Sequence, residues 1–245
     1  MPFKVSVRPR PRRHRQLGGW PACRSGLWRI VWLCFRFPLG LQMVEEMLAG
    51  RGIVVSHETV RKWARKFGQE FANQIRRRLP CAGDKWHLDE VVLKIAGVTH
   101  WLWRAVDQTG IVLDVLVQSR RDKQAAKGLL RKLLRRQGRA PRVMITDKLA
   151  SYRAAKRELT PGVEHRRHKG LNNRAENSPQ PMQRRERQMK RFKSSGQAQR
   201  FLSAHDPINN LFHLRRDHVT AVQYREARMR AFATWAEISE GLVAA

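Results

Sequence analysis

Three β-rich runs follow one another within residues 86–118, and this block most constrains what the chain can fold into. The runs are WHLDEVVLKIAG, THWLWRAVDQTG and IVLDVLVQ, and they are separated by Gly97 and by a turn at residues 107–110. Such runs, bounded by turn residues, predict an antiparallel three-stranded meander. A helix at residues 122–136, the strand RVMIT, a helix in SYRAAKREL and a strand in VEH come next. This order predicts an α/β fold in which helices flank a mixed sheet.

The segment before this block has a helical pattern. The first predicted helix is LWRIVWLCFRF, which ends before Pro38. The second is LQMVEEMLAGRG, which its glycines end. The third is HETVRKWARKF, which Ser56 can cap. Two short helices joined by a Gly-containing turn, the second basic on its exposed side, predict a small all-α helix-turn-helix domain at residues 27–75. A small helical bundle with a charged outer face would have the same pattern. The basic residues expected to contact DNA here are Arg61, Lys62, Arg65 and Lys66.

The remaining segments differ from these two in composition. Residues 1–26 are basic and rich in Gly and turn formers, which predicts a disordered arm. A basic linker is expected at 76–84, the catalytic domain at 85–195, and basic helices at 196–245. The most apolar stretch, residues 27–41, is too short for a membrane span. The 3 cysteines form no C-x-x-C pair, which predicts reduced thiols rather than a disulfide framework or a zinc site.

The charge balance of the chain points to its partner. Lys and Arg number 50 against 20 Asp and Glu, which gives a formal net charge of +30. Such an excess repels itself unless it meets a polyanion. We therefore expect nucleic acid as the partner, bound in a strongly salt-dependent way. A ribosomal-type RNA-binding protein is the alternative, although such chains are usually shorter and poorer in Trp than a chain with 8 Trp.

Acidic residues are scarce, so an acidic residue among apolar neighbours is informative. Asp89 shares a strand face with Val91 and Leu93, where a lone carboxylate needs a metal ion or a buried arginine to compensate its charge. Asp147 follows the strand RVMIT, at the end of the strand where ligands gather in open α/β sheets. Glu176 lies near the start of the last basic region. Three such carboxylates suit two Mg²⁺ or Mn²⁺ ions, which prefer oxygen ligands.

Each of these acids has another interpretation when it is taken singly. Asp147 could cap the helix that follows it. Glu176 could pair with one of the many arginines, and Glu90, on the opposite strand face, could replace Asp89. The pattern alone therefore leaves both a metal site and ordinary structural roles open.

Longer strings of the sequence resemble a known family. Five strings carry this resemblance, and they are WHLDEVVLKIAG, WLWRAVDQTG, TDKLASY, EHRRHKGLNNRAEN and QRRERQMKRFKSSGQAQRFLS. They closely resemble the bacterial insertion-sequence transposases of the insertion-sequence-six family. FRFPLGLQMVEEMLAGRGIVVSHETVRKWARKFG is similar to that family's helix-turn-helix, so the likeness covers about residues 27–240. The resemblance implies a DDE transposase with an RNase H-like catalytic domain. It implies Asp89, Asp147 and Glu176 as the catalytic and metal-binding acids, with two Mg²⁺ or Mn²⁺ ions as cofactor, and thereby favours Asp89 over Glu90.

The resemblance also implies an activity. Such enzymes bind the terminal inverted repeats of their element, expose 3′-hydroxyls by hydrolysis and join them to target DNA, in this family by replicative, cointegrate-forming transposition. They work on double-stranded DNA as homodimers or larger homo-oligomers, which implies a bacterial cytoplasmic, nucleoid-associated protein with no membrane partner. The further DNA contacts expected are Lys148, His168, Lys169, Arg184, Arg185 and Lys190.

Three features depart from the family pattern. Asp147 and Glu176 are separated by 28 residues, 148–175, fewer than in the best-known members. Pro179 and Pro181 follow Glu176 and predict a short or broken helix there. QLGGWPACRSG replaces the helical sequence expected before LWRIVWL. The alternatives to an active transposase are a catalytically decayed DNA-binding remnant and a general RNase H-like nuclease that cleaves without end specificity.

Overall fold

The computed structural model describes residues 20–78, 82–168, 192–214 and 219–244. Among these residues, no helix combines the length and hydrophobicity that a membrane crossing requires. The elements of the described parts are, in chain order, α1 (Trp20–Arg36), α2 (Leu41–Ala49), α3 (His57–Arg78), β1 (Lys85–Ile95), β2 (Val98–Asp107), β3 (Val112–Gln118), α4 (Lys123–Gln137), β4 (Val143–Thr146), α5 (Ala150–Leu159), β5 (Glu164–Arg167), α6 (Ser195–Leu211) and α7 (Ala221–Ala244).

The five strands form one sheet in the order β3-β2-β1-β4-β5. β1, β2 and β3 pair in antiparallel fashion, whereas β4 pairs parallel to β1 and β5 parallel to β4. Ala96 and Gly97 turn the chain between β1 and β2 with φ values of 50° and 82°, the left-handed pair that a type I′ hairpin needs. The predicted meander and the RNase H-like mixed sheet are thereby confirmed.

Helices cover both faces of the sheet. Trp86 and Leu88 of β1 pack in a core with α4 and α5, while Leu93 faces a second core that includes residues of α6. Because side chains alternate across a strand, Asp89 lies on the α6 face and Glu90 on the face of α4 and α5. The two neighbouring acids therefore lie in different surroundings.

Helices α1, α2 and α3 pack around a core of their own. Two side chains close the first turn of α3: Ser56 accepts a hydrogen bond from the Thr59 N–H at 3.3 Å. Glu45 of α2 accepts one from the His57 N–H at 2.9 Å. Because these bonds satisfy N–H groups that lack a partner within the helix, they fix the turn between α2 and α3. The predicted all-α helix-turn-helix arrangement is present.

Helix α6 belongs to both cores. Its first half places Ala198 and Leu202 against the sheet, and its second half places Ala204 and Ile208 in the core of α1, α2 and α3. Phe201 packs against both cores. Helix α6, in the helical region predicted at the carboxyl end of the chain, therefore connects the helix-turn-helix to the sheet.

Helix α1 begins earlier than the sequence predicted. It starts at Trp20, so the end of the expected disordered arm at residues 1–26 is helical. Pro21 falls in the first turn, where the missing N–H of proline removes no helical hydrogen bond. The glycine-rich composition of residues 1–26 predicts irregular structure, so the sequence does not indicate this helix.

Helix α3 also extends beyond the prediction. It continues through Arg78, into the expected linker at 76–84. The physical reason is that Phe71, Ala72 and Ile75 continue the buried stripe at helical spacing and pack in the helical core. The basic composition of this segment predicts a connector, but Arg77 and Arg78 lie on the exposed side of the helix, and Arg76 is partly buried and donates to the Ser203 carbonyl.

Candidate active site

Asp89 lies in the middle of β1, directly opposite Arg104 of β2. Arg104 is buried, with 3% of its surface exposed. Burial lowers the pKa of Arg104, while the negative charges of Asp206 on α6 and of Asp89 oppose that shift. A guanidinium cannot lose its charge in a protein, so its burial requires acids nearby. The structure thus supplies the buried arginine that the sequence had left as one possible partner of Asp89.

Asp147 follows β4 directly and lies beside Asp89. In the parallel pair of β1 and β4, Leu88 is aligned with Thr146. Asp89 is the residue after Leu88 within β1, Asp147 is the residue after Thr146 at the end of β4, and neighbouring strands are about 4.8 Å apart. The structure brings two of the three predicted acids together in this way.

The two carboxylate oxygens of Asp147 have different surroundings. Oδ1 accepts a hydrogen bond from the Leu149 N–H at 2.9 Å. Oδ2 lies 3.9 Å from Nη2 of Arg121, in the connection between β3 and α4. The helix α5 begins at Ala150 with Leu149 as its N-cap. Asp147 therefore shapes the turn into the helix and does not act as its cap residue, which was the alternative role left open.

Glu90 lies on the other face of the sheet and has its own cation. Arg121 donates to Oε1 of Glu90 through Nε at 2.9 Å and also through Nη2. The Glu90 side chain is only 2% exposed, and this burial raises the pKa of its carboxyl. The arginine also lies over the Trp101 ring, 4.9 Å from its centroid.

Three acids act electrostatically on one buried hydroxyl. Tyr152 of α5 is fully buried, and burial is the main reason why its pKa lies well above the usual value. The charges of Glu90, Asp89 and Asp147 raise the pKa further. The two acids of β1 and the acid that follows β4 therefore all act on Tyr152, near the amino end of α5.

Strand β5 holds the segment that carries Asp147. Arg167 donates to the carbonyl of Lys148 at 2.8 Å, and the His168 N–H donates to the Thr146 carbonyl at 3.2 Å. Oγ1 of Thr146 lies 2.9 Å from Nε2 of His165, whose pKa is lowered, chiefly by burial. These contacts support both sides of the turn at Asp147.

The donor set of the site fits a hard divalent cation as far as it is described. Asp89 and Asp147 offer carboxylate oxygens, the ligands that Mg²⁺ and Mn²⁺ prefer. Over the described ranges, no group of three His, Cys, Asp or Glu residues could hold a metal ion. The predicted third acid, Glu176, lies outside the described residues, as do Pro179 and Pro181.

The predicted DNA contacts fall into two groups. Those that the structure describes are all exposed: Arg61, Lys62, Arg65 and Lys66 on α3, with Lys148 and His168 beside the turn at Asp147. The others lie outside the described residues, and they are Lys169, Arg184, Arg185 and Lys190.

Sequence reasoning missed the arginines that face the acids. Arg121 contacts Glu90 across 31 positions of the chain, and nothing in the local pattern marks it among so many basic residues. Arg104 carried a usable signal, since it is a charged residue within the run WLWRAVD whose neighbours are apolar. Its position opposite Asp89 follows once the hairpin turn is placed at Ala96 and Gly97.

The order and pairing of the five strands, with helices on both faces, define the class of the described fold, an RNase H-like mixed sheet. A family model described as a DDE domain, that of the IS240-type DDE transposases, matches residues 83–215, more than half of the chain. The chain therefore belongs to this family of DDE transposases, and the resemblance to the insertion-sequence-six family is confirmed.

A curated relative and two solved structures illustrate the similarity. The chain is 32% identical over 120 residues to the transposase for insertion sequence element IS257 in transposon Tn4003 of Staphylococcus aureus, a match that covers 49% of this chain and 53% of that protein. The chain thus spans about half the length of the curated relatives it matches. An intasome of simian T-cell lymphotropic virus shows a TM-score of 0.43 at 15% identity, covering 58% of this chain and 51% of the other. The Mos1 transposase catalytic domain, solved with raltegravir and Mg, shows 0.34 at 11% identity, covering 72% and 94%.

Proposed function

We propose that this chain binds the terminal inverted repeats of an insertion sequence, cleaves its 3′ ends and joins them to target DNA by metal-dependent phosphoryl transfer, in a replicative, cointegrate-forming process. The observation that carries the proposal is that Asp89 within β1 and Asp147 directly after the parallel strand β4 lie side by side, in a chain that matches the model of a DDE domain. Glu176 is proposed as the third acid of the site. Glu90 is a poorer candidate, because it is buried on the opposite face and paired with Arg121.

The cofactor of the proposed reaction is Mg²⁺ or Mn²⁺, in two ions. Asp89, Asp147 and Glu176 would hold these ions, which would supply charge stabilisation for a phosphoryl displacement. The chain's own part is to hold the carboxylates in place. Asp89 is fixed within a strand opposite Arg104, and Asp147 is oriented by the Leu149 N–H and by the strand β5 contacts behind it.

The proposed DNA contacts come from two parts of the chain. The helix-turn-helix predicted at residues 27–75 would present the exposed basic side of α3 to the inverted repeat. The catalytic domain predicted at 85–195 would contact phosphates near the scissile bond, through Lys148, His168, Lys169, Arg184, Arg185 and Lys190. Bridging two element ends calls for a homodimer or a larger homo-oligomer, acting on nucleoid DNA in the bacterial cytoplasm.

A strand-transfer assay with the native element ends tests the proposal. The wild-type chain is expected to join labelled inverted-repeat DNA to a plasmid in the presence of Mg²⁺ or Mn²⁺ and not with EDTA. The variants Asp89→Asn, Asp147→Asn and Glu176→Gln should lose joining and keep DNA binding in a gel-shift assay. Asp84→Asn is the matched control, since Asp84 is an exposed acid paired with Arg139. Joining by Asp89→Asn at the wild-type rate would contradict the assigned chemistry.

A DNA-binding remnant without catalysis is the second candidate. The observation that favours it is the burial of Arg104 opposite Asp89, because a buried arginine can replace a cation as the partner of that acid. This candidate predicts end binding that is unaffected by EDTA, together with no joining by the wild-type chain. The strand-transfer and gel-shift assays together distinguish the two candidates directly.

A further inference from the structure

Arg121 makes contacts with three parts of the sheet through one side chain. It binds Glu90 of β1 through Nε at 2.9 Å and through Nη2. Its guanidinium lies over the ring of Trp101 of β2. Nη2 also lies 3.9 Å from Oδ2 of Asp147, after β4. The residue follows β3 and precedes Asp122, the N-cap of α4, so its backbone is anchored as well.

The orientation of this guanidinium is fixed from the Glu90 side. Two donors on one carboxylate oxygen and an aromatic ring beneath the plane restrict a planar group more than a single contact would. Glu90 is itself enclosed, because it lies in the middle of a paired strand and its side chain is 2% exposed. The end of Arg121 that faces Asp147 is therefore held in a defined place.

Asp147 receives directional support on one oxygen and electrostatic support on the other. Oδ1 takes the hydrogen bond from the Leu149 N–H. The separation of 3.9 Å between Oδ2 and Arg121 is an ion-pair distance, longer than a hydrogen bond. The attraction thus orients the carboxylate while its lone pairs remain able to bind a cation.

We propose that Arg121 is a positioning residue that orients the Asp147 carboxylate for divalent-cation binding, acting from its anchor on Glu90. The inference rests on the proposed function in one respect, that Asp147 is a metal ligand. A cation beside a metal site also repels the metal ion, which would oppose binding. Here the buried Glu90 balances the charge of Arg121 and so offsets that repulsion. We therefore expect the orientation of Asp147 by Arg121 to increase the affinity for the cation.

Direct Mn²⁺ binding to the full chain, measured by calorimetry without DNA, tests the inference independently of catalysis. Arg121→Met should raise the Mn²⁺ dissociation constant about 10- to 100-fold, the usual effect of losing a residue that supports a metal ligand. Arg121→Lys keeps the charge without the fork and should lie between this variant and the wild type. Glu90→Gln should weaken binding less than Arg121→Met, since it removes the anchor and leaves the cation. Arg120→Met is the matched control, because Arg120 is the exposed neighbour and should leave Mn²⁺ binding unchanged.

Several outcomes would overturn the inference. Wild-type or tighter Mn²⁺ binding by folded Arg121→Met would do so, and a drop in melting temperature without a change in Mn²⁺ affinity would show that Arg121 is only structural. If Arg121→Met fails to fold, Arg121→Lys and Glu90→Gln are milder changes, and unchanged affinity in both would contradict the inference. Wild-type affinity in Asp147→Ala would instead contradict the assignment of Asp147 as a ligand in the proposed function. The two failures are thereby distinguishable.

Discussion

Asp114 of β3 is a buried acid that depends on two cations. Its side chain is 2% exposed and lies 2.9 Å from Nζ of Lys132 and 2.7 Å from Nη1 of Arg136, both on α4. Burial raises the pKa of Asp114, and the charge of Lys132 opposes this shift. Lys132 and Arg136 of α4 therefore offset the cost of burying this carboxylate, and that cost should appear when the two residues are replaced.

The double variant Lys132→Met/Arg136→Met should lose about 3–5 kcal/mol of unfolding free energy at pH 8, because it removes both ion-pair partners of a buried carboxylate. The deficit should shrink as pH falls. An acid whose folded pKa is raised is destabilising above its unfolded pKa, and the penalty disappears when the folded protein takes up the proton. Urea unfolding at pH 8 and pH 5 measures both effects. An equal deficit at the two pH values would contradict the explanation.

Arg61→Met provides the control for that measurement. Arg61 and Glu58 form an ion pair of 2.6 Å in which both side chains are exposed. Exposed pairs contribute about 0–1 kcal/mol, so this variant should be close to the wild type in stability at either pH. The comparison separates the effect of burial from that of losing a cation.

At the scale of the elements, helices α1 and α3 approach closely at one glycine. A Cβ atom on Gly68 would lie 2.5 Å from Cε2 of Phe35, a distance that no side-chain contact tolerates. Phe35 is itself held, since it is buried and stacks on Phe201 of α6 with ring centroids 5.4 Å apart. The glycine is therefore required by the packing of three helices.

Gly68→Ala should destabilise the chain by about 1–3 kcal/mol through overpacking, although alanine is the better helix former by about 1 kcal/mol. Gly196→Ala is the matched control in α6, because its Cβ would meet only the end of Arg200, at 3.6 Å. That variant should be neutral or slightly stabilised. Chemical denaturation of both variants checks the prediction, and a Gly68→Ala chain more stable than the wild type would contradict the helix approach described.

The elements that the sequence predicted well are those with local signals. Gly97 and Gly110 both have positive φ and close the hairpins of the meander, and turn residues of this kind can be recognised in a sequence. The basic composition of residues 76–78 predicts a connector and hides the buried stripe of Phe71, Ala72 and Ile75, which continues α3 at helical spacing. Periodicity shows which side of a helix is apolar but not what that side packs against, so the packing of α6 on two cores could not be predicted.

The same limit applies to the candidate site. The sequence places Asp89 within a strand and Asp147 at the end of another, but their adjacency depends on the parallel pairing of β1 with β4, which the pattern does not predict. The contact of Arg121 with Glu90 could not be predicted either, because it depends on where a loop after β3 directs one long side chain. An ion pair between residues that are distant in the sequence produces no periodic pattern of residue types along the chain.

At the scale of the whole molecule, α6 makes the helix-turn-helix and the sheet one packed structure. Arg36 of α1 donates to the Asn209 side chain at 2.9 Å, and Arg76 of α3 donates to the Ser203 carbonyl. Both acceptors belong to α6, whose Leu202 packs in the core against the sheet. The exposed basic side of α3 therefore lies at a defined position relative to Asp89 and Asp147.

This arrangement gives a prediction about how the chain, with its net charge of +30, binds DNA. Lys62→Gln/Arg65→Gln on α3 should reduce the slope of log affinity against log salt by about one for each DNA phosphate that the variant no longer neutralises. Arg225→Gln/Arg230→Gln removes the same charge from exposed positions of α7 and should change the slope little. Titration of inverted-repeat DNA at several salt concentrations measures the slopes. Equal reductions in the two variants would mean that the overall field of the protein binds DNA, and would contradict direct binding of DNA through α3.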